Sequence, residues 1–292
     1  MNPRLPALNG LQAFEAVARH RSFTRAAEEL RLTQTAISHR IGRLEAQLGF
    51  QLFLRHGRDV ELSPAGQTYL PGVRSAFEAL YRATTDLLDE GGSGELTVST
   101  LVSFAAKWLV PRLADFQSAH PEVAVRILTS PLPVDFARES IDLAIRYGDG
   151  RWPGLRADLL LREETFPVCS PKLLADSGRL SCPEDLAGHV LIHNTAFPED
   201  WARWLAAVGQ PDLDAKAHLR FDLGFAAIEA AADGAGVAMG RRSLAGYDLS
   251  KGTLVAPFEL RIPRQAYYLV APRRGAERPK VKIFRDWLLT AA

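Results

Sequence analysis

At 292 residues, with 47% apolar and 24% charged residues, the chain has the composition of an ordinary globular protein of two or three domains. A formal net charge of +1 argues against a membrane-surface protein and against a wholesale nucleic-acid coat. No apolar run reaches the ~18 residues of a membrane span and the N-terminus carries no signal-peptide core, so a cytoplasmic protein without a membrane partner is expected. Cys169 and Cys182 are too few for a disulfide framework and read as buried or incidental thiols. The average charge hides one local excess. Up to Gly66 there are nine Arg and no Lys against six Asp or Glu, a net +3 with three His in addition, enough to steer a module toward phosphates.

In chain order, Asn9 and Gln12 form a capping-box pattern at the start of a first helix with Leu11, Phe14, Val17 and Ala18 on its apolar side. Ser22 caps a second helix that buries Phe23, Ala26, Ala27 and Leu30. Arg31 and Leu32 turn the chain, and Thr33 caps a third helix with Ile37, Ile41, Leu44 and Leu48 inward. "LFLRHGRDVELSPAG" then reads as a hairpin turning at His56–Asp59. Ser63-Pro64 is an N-cap followed by proline at the first helical position, opening a long helix to about Asp89. Along it Leu70, Val73, Phe77, Leu80, Thr84 and Leu87 alternate steps of three and four, the seam of a paired helix, with Pro71 expected to kink it. Residues 90–94, Glu-Gly-Gly-Ser-Gly, are a linker.

Beyond the linker, strands and helices alternate: strands at "ELTVSTL", "VAVRILTS", "IDLAIRYG", "ETFPVCS", "HVLIHNT", "HLRFDL", "GVAMG" and "QAYYLVAP". Helices are expected from about Ser103 to Ala119 and at "DFARES", "EDWARWLAAVG", "GFAAIEAAADG" and "KVKIFRDWLLTA". Such alternation predicts an α/β architecture of parallel sheets covered by helices. "GAGVAMG" is rich enough in glycine for a dinucleotide loop, but it follows a helix and precedes a strand, the reverse of that motif's order, and reads as a turn. No catalytic constellation, metal-ligand spacing or cofactor motif stands out.

Two short helices three residues apart, the second polar on its outer side, match the shape of the DNA major groove. Gln34 has the donor and acceptor for a bidentate pair with adenine, and the Thr35 methyl suits a thymine methyl. Ser38 and His39 complete the outer face, while Arg55 and Arg58 on the hairpin stand where a wing meets the sugar-phosphate backbone. Gly42 costs about 1 kcal/mol against Ala and reads as a site of close packing.

"SFTRAAEEL", "TQTAISHRIGRLE" and "LFLR…LSPAG" stand at the usual spacing of LysR-type transcriptional regulators, and the first 66 residues resemble the DNA-binding domain of that family. "RLADFQSAHPEVAV", "IDLAIRYGDG", "VCSPKLL" and "GAGVAMG" resemble its effector domain; "LNGLQAFEAVARH" and "IRYGDGRWPGL" resemble the branch of glycine-cleavage and β-lactamase activators. The resemblance implies DNA contacts from Ser22, Thr24, Thr33, Gln34, Thr35, Ser38, His39, Arg43, Arg55 and Arg58. It also implies a winged helix-turn-helix at 1–64, a coiled-coil linker helix at 65–90, and an effector domain at 95–292 like the periplasmic binding proteins. One lobe would hold about 95–165 plus 269–292, the other about 166–268. Double-stranded DNA, a small-molecule effector and further copies of the chain, as a dimer or tetramer, are the implied partners, with RNA polymerase a further one. The competing expectation is a small-molecule binding or transport-type protein with an unrelated N-terminal helical domain.

Ligands of two-lobed α/β proteins collect at strand ends and lobe seams. Thr100 and Ser103 follow the first strand of the domain, Ser103 at a position where relatives often place a ligand-binding hydroxyl and also fit to cap the next helix. Ser130 and Asp135 follow the second strand, Asp135 reading first as an N-cap; Tyr147 and Gly148 end the third. Thr195, Phe197, Asp222, Gly224 and Phe225 would form the opposite wall. Arg241 and Arg242 face solvent or a ligand carboxylate, solvent being favoured, and Trp201 and Trp204 read as core.

Overall fold

Helical spacing of apolar residues builds the start of the chain: α1 (Leu8–His20), α2 (Phe23–Glu29) and α3 (Gln34–Leu48). The computed structural model describes residues 5–56, 59–88, 94–137, 139–177 and 180–292. The chain divides into one unit running to Leu88 and a second holding most of the remainder.

In the first unit Phe14, Val17, Ala26, Ala27, Ile37, Ile41 and Leu44 close one core. Ser22 and Thr33 cap as expected, accepting from the Arg25 and Ala36 amides at 3.3 and 3.2 Å. The cap expected at Asn9 is absent. The chain is already extended at Ala7, whose carbonyl accepts from the Gly10 and Leu11 amides, so the helix begins earlier and Asn9 lies exposed in its first turn. Strands β1 (Phe53–His56) and β2 (Asp59–Leu62) form the hairpin, Phe53 opposite Leu62 and His56 opposite Asp59.

Ser63 caps α4 (Pro64–Leu88) by accepting from the Gly66 amide at 3.0 Å, and its hydroxyl donates to the Gln51 carbonyl at 2.5 Å. The helix runs on through Pro71. Pro71 and Gln67 are both exposed, so the carbonyl that loses its helical partner lies on the solvent side. The expected seam divides: Leu70 and Val73 are buried in the core of the first unit and Phe77 packs against it, whereas Leu80 is 51% exposed and Thr84 is exposed. The Leu87 side chain, and residues 90–93 of the linker, lie outside the described residues. The start of α4 reaches that core because Gly66 has no side chain.

The second unit is one mixed eight-stranded sheet rather than two separate parallel ones. After β3 (Gly94–Thr100) comes a helical run of α5 (Val102–Phe104), a π turn (Ala105–Leu109) and α6 (Val110–Ala119), then β4 (Val123–Thr129) and β5 (Leu143–Gly148). The short helix expected at 135–140 is a turn at Phe136–Ala137 in its described part. β6 (Leu155–Val168) is a 14-residue strand of which the sequence reading marked only the end. There follow α7 (Pro171–Ser177), β7 (Val190–Asn194), α8 (Asp200–Ala207), β8 (Ala217–Phe221), α9 (Gly224–Ala232), β9 (Val237–Arg241), the unexpected α10 (Arg242–Lys251), β10 (Ile262–Pro272) and α11 (Pro279–Ala291). The sheet order β4-β3-β5-β10-β6-β9-β7-β8 puts two parallel triplets on either side of the antiparallel pair β6/β10. Each triplet builds its own core: Leu96, Val98, Phe104, Leu143 and Phe284 in lobe I, and two clusters around Ile192, Ile228, Trp201 and Trp204 in lobe II. Cys169 is buried, which pushes its thiol up to about 11, and Cys182 is exposed; both are free.

Two glycines in the first unit have opposite roles. A Cβ on Gly66 would lie 2.2 Å from the Leu52 carbonyl oxygen, whereas one on Gly42 would meet nothing, so the close packing expected at Gly42 is absent. Gly66→Ala is expected to destabilise the protein by about 1–3 kcal/mol and Gly42→Ala to stabilise it by about 0.5–1 kcal/mol, both read by urea denaturation.

Candidate nucleic-acid interface and ligand seam

One face of α3 is committed inward by Ile37, Ile41 and Leu44. That commitment exposes Gln34, Thr35, His39 and Arg43 on the other, with Ser38 half-buried between them. Thr33 at its cap and Thr24 on α2 are also exposed, and Ser22 is half-buried. The hairpin shares the core of this helix through Phe53, Val60 and Leu62, and Glu45 fixes its entry: Oε1 accepts from the Leu52 amide at 2.7 Å and the Phe53 amide at 3.3 Å. Arg55 therefore lies on a strand anchored to α3, opposite Val60. Arg58 lies outside the described residues. Glu15 on α1 ties the unit further, pairing with Arg19 and with Arg74 on α4, each at 3.3 Å.

In the second unit the strand ends of both lobes converge on a seam. Ser103 in α5 accepts from the Phe225 amide at 3.2 Å, and a Cβ on Gly224 would sit 3.6 Å from its hydroxyl oxygen. Ser103 does not cap the helix, since Leu101 takes the N-cap position. Tyr147 and Phe197, from opposite lobes, meet edge to face with centroids 5.7 Å apart. Thr100 is fully buried, its hydroxyl has no hydrogen-bond partner among the described residues, and its carbonyl accepts from the Ser130 amide at 3.0 Å. Gly148 ends β5 opposite Ala266 on β10. Thr195 is exposed and its amide donates to the Phe221 carbonyl at 2.8 Å, next to exposed Asp222. Asp135 accepts from the Ala137 amide at 3.0 Å and lines a groove with Pro133, Pro153 and Pro272.

Two family models match the chain: residues 8–67 as a bacterial regulatory helix-turn-helix protein of the lysR family, and residues 89–292 as a LysR substrate binding domain. The chain belongs to the LysR family. It is 43% identical over 293 residues to the glycine cleavage system transcriptional activator of Escherichia coli K12, covering 100% of this chain and 96% of that protein. It is 37% identical over 297 residues to the transcriptional activator AmpR of Pseudomonas aeruginosa, covering 100% and 97%. Among solved structures, the effector domain of that AmpR matches at 33% identity and a TM-score of 0.56, over 68% of this chain and 95% of that one. The CrgA regulator of Neisseria meningitidis matches at 25% identity and a TM-score of 0.57, over 97% of each. The chain is a LysR-type transcriptional regulator with a helix-turn-helix and a two-lobed effector-binding domain, and its relatives are regulators, not enzymes. LysR regulators bind DNA and small-molecule effectors. Among the described residues no helix is long and apolar enough to cross a membrane.

The sequence reading of this LysR regulator missed the buried ions of the seam. Arg241, expected to face solvent, is 2% exposed. It donates to Asp200 at 2.7 Å, and its guanidinium carbon lies 3.5 Å from the centroid of the Phe197 ring and 5.3 Å from that of Tyr147. Arg264 donates to the same Asp200 and, at 3.0 Å, to Glu199. Burial works against the Arg241 charge, but Asp200 and Tyr147 outweigh it and hold its pKa above the ordinary value. Arg242, by contrast, is exposed. On β6, buried Glu163 accepts from both the amide and the hydroxyl of Ser243 at the start of α10. Burial pushes its pKa up against those bonds, and burial together with the Glu163 charge raises that of Tyr267.

Asp200→Asn leaves the buried Arg241 guanidinium with a neutral partner, Arg264 keeping Glu199, and is expected to cost about 3–5 kcal/mol of stability by chemical denaturation. For Glu163 the folded pKa lies above its ordinary 4.5, so its contribution is full below that pH and is lost as pH rises through the folded value. Glu163→Gln keeps an acceptor for Ser243 and is expected to flatten that part of the stability curve, measured as Tm against pH.

Proposed function

We propose that this regulator reads its operator with the outer face of α3 and the anchored hairpin, and that a small molecule entering the seam between the two lobes modulates the oligomer bound to DNA. The observation that carries the first half is the exposed set Gln34, Thr35, His39 and Arg43 on a helix whose opposite face is buried, with Glu45 fixing the hairpin beside it. Short polar side chains at the N-terminal end of a helix fit base edges, while Arg55 and Arg58 suit phosphates. Ser22, Thr24, Thr33 and Ser38 border that face. For the second half, two contacts between the lobes support the reading, Ser103 with Phe225 beside Gly224 and Tyr147 with Phe197, and so does the buried Thr100 hydroxyl at the end of β3, which has no partner among the described residues. Ser130, Gly148, Thr195 and Asp222 sit at neighbouring strand ends, and Asp135 lines a groove near the end of β4.

The half of the α4 seam left free of the core, at Leu80 and Thr84, supports pairing with a second copy, and two dimers on paired half-sites would make a tetramer. Because the relatives are named as transcriptional activators, activation through contact with RNA polymerase in the cytoplasm is the outcome we favour. An effector acts here only through differential affinity for two oligomer geometries.

Operator binding measured across salt concentrations tests the reading. Gln34→Ala is expected to relax base preference at one position, costing about 1–3 kcal/mol on the operator, whereas Arg55→Ala should weaken every sequence and lower the salt slope. If both variants bind like the parent, the assigned face is wrong.

A further inference from the structure

One ionic cluster spans the two lobes outside the strand-end site. Lys107 belongs to lobe I, on the π turn between α5 and α6. Its ammonium group donates to Glu229 on α9 and, at 3.0 Å, to Asp248 on α10, both in lobe II. The Lys107 side chain is only 10% exposed and that of Asp248 14%, while Glu229 is 56% exposed.

The sequence explains why a lysine reaches across. Pro111 lacks the amide that would bond the Lys107 carbonyl in an α-helix, and its ring clashes with that carbonyl. The turn widens, and the Val110 amide bonds to the Ala105 carbonyl five residues back. Such one-turn widenings concentrate at functional positions. One helical turn earlier, Ser103 meets Phe225; one turn later on both helices, Lys107 meets Glu229. The two contacts therefore run in register along the same pair of facing helices, the first a neutral hydrogen bond and the second a charged clamp.

We propose that Lys107, Glu229 and Asp248 form an ionic latch that holds lobe II against lobe I and must break for the seam to open. Two carboxylates on one cation make the latch asymmetric. Without Lys107, Glu229 and Asp248 are left as like charges side by side; without the carboxylates, a nearly buried ammonium is left unpaired and is driven toward water. Either loss favours the open arrangement. The latch goes beyond the proposed effector reading and does not rest on it, because it needs no ligand to be observed.

Hydrogen exchange on the full-length protein tests this, with two variants: Lys107→Met, and the double variant Glu229→Gln/Asp248→Asn. The amide of Phe225 reports directly, since it donates to Ser103 across the seam. Both variants are expected to speed exchange at Phe225 at least tenfold while β3 and β5 in lobe I, and β7 and β9 in lobe II, keep their protection. Should Lys107→Met fail to fold, the double variant still decides, because its changes lie on the lobe II helices and leave the lysine in place. Unchanged exchange at Phe225 in the folded variants overturns the latch. So does faster exchange spread through the strands of either lobe, which would mark the cluster as ordinary packing.

Discussion

The second unit depends on one constraint: β6 and β10 have to serve two lobes at once. They pair with each other along most of their length, while β5 joins β10 on one side and β9 joins β6 on the other. Register shifts between Pro263 and Ala266 and between Tyr267 and Tyr268 interrupt the ladder where it passes from one lobe to the other. Irregularities of this kind bend and twist a strand locally. The same stretch carries Glu163, Arg264 and Tyr267, whose side chains are buried because the strands are covered on both faces. Each is matched by a partner from lobe II: Ser243 for Glu163 and Tyr267, and Asp200 for Arg264.

In the first unit the constraint is smaller in scale. A two-stranded hairpin is marginal on its own, and here it is held by the Glu45 carboxylate on two successive amides at its entry and by Ser63 at its exit. Glu45 stands on α3 and Ser63 caps α4. The hairpin is thus tied to α3 at one end and to the start of α4 at the other.

The same division between near and distant partners decides how much of the molecule was legible in the sequence. Local signals held: the caps Ser22, Thr33 and Ser63, the inward stripe of α3, and the β/α alternation after the linker all rest on neighbours within a few residues. The beginning of β6 is not legible because a partner of its Arg156 lies far off in the chain: besides the near pair with Asp158, it reaches Glu277 in the 3₁₀ turn before α11. α10 was missed because "RSLAGYDLSK" has little apolar periodicity, and its start is held by Glu163, 80 residues away in sequence. Heptad spacing in α4 was real, but spacing does not say whose core it enters; Leu70 and Val73 enter their own chain's. Arg241 was assigned to solvent because the rule for isolated charges favours it, and its partner Asp200 lies 41 residues off.

The strength of these non-local ions suits the task of a regulator. Moving a two-state equilibrium from mostly one arrangement to mostly the other takes about 5.5 kcal/mol of differential affinity. Opening the seam returns Lys107 and its carboxylates to water, so that contact holds the lobes by about 1.5–3 kcal/mol, as other hydrogen bonds to charged groups do, and the neutral bond at Ser103 adds about 1 kcal/mol. One charged clamp at Lys107 and one neutral bond at Ser103 therefore hold a preference of the size a small molecule can reverse by making comparable contacts in the other arrangement. An apolar seam of similar area would separate by degrees and discriminate poorly between ligands. On the proposed function, a seam closed by a few directional bonds would open only for a molecule that replaces them, and a handful of charges would thereby turn packing into selectivity.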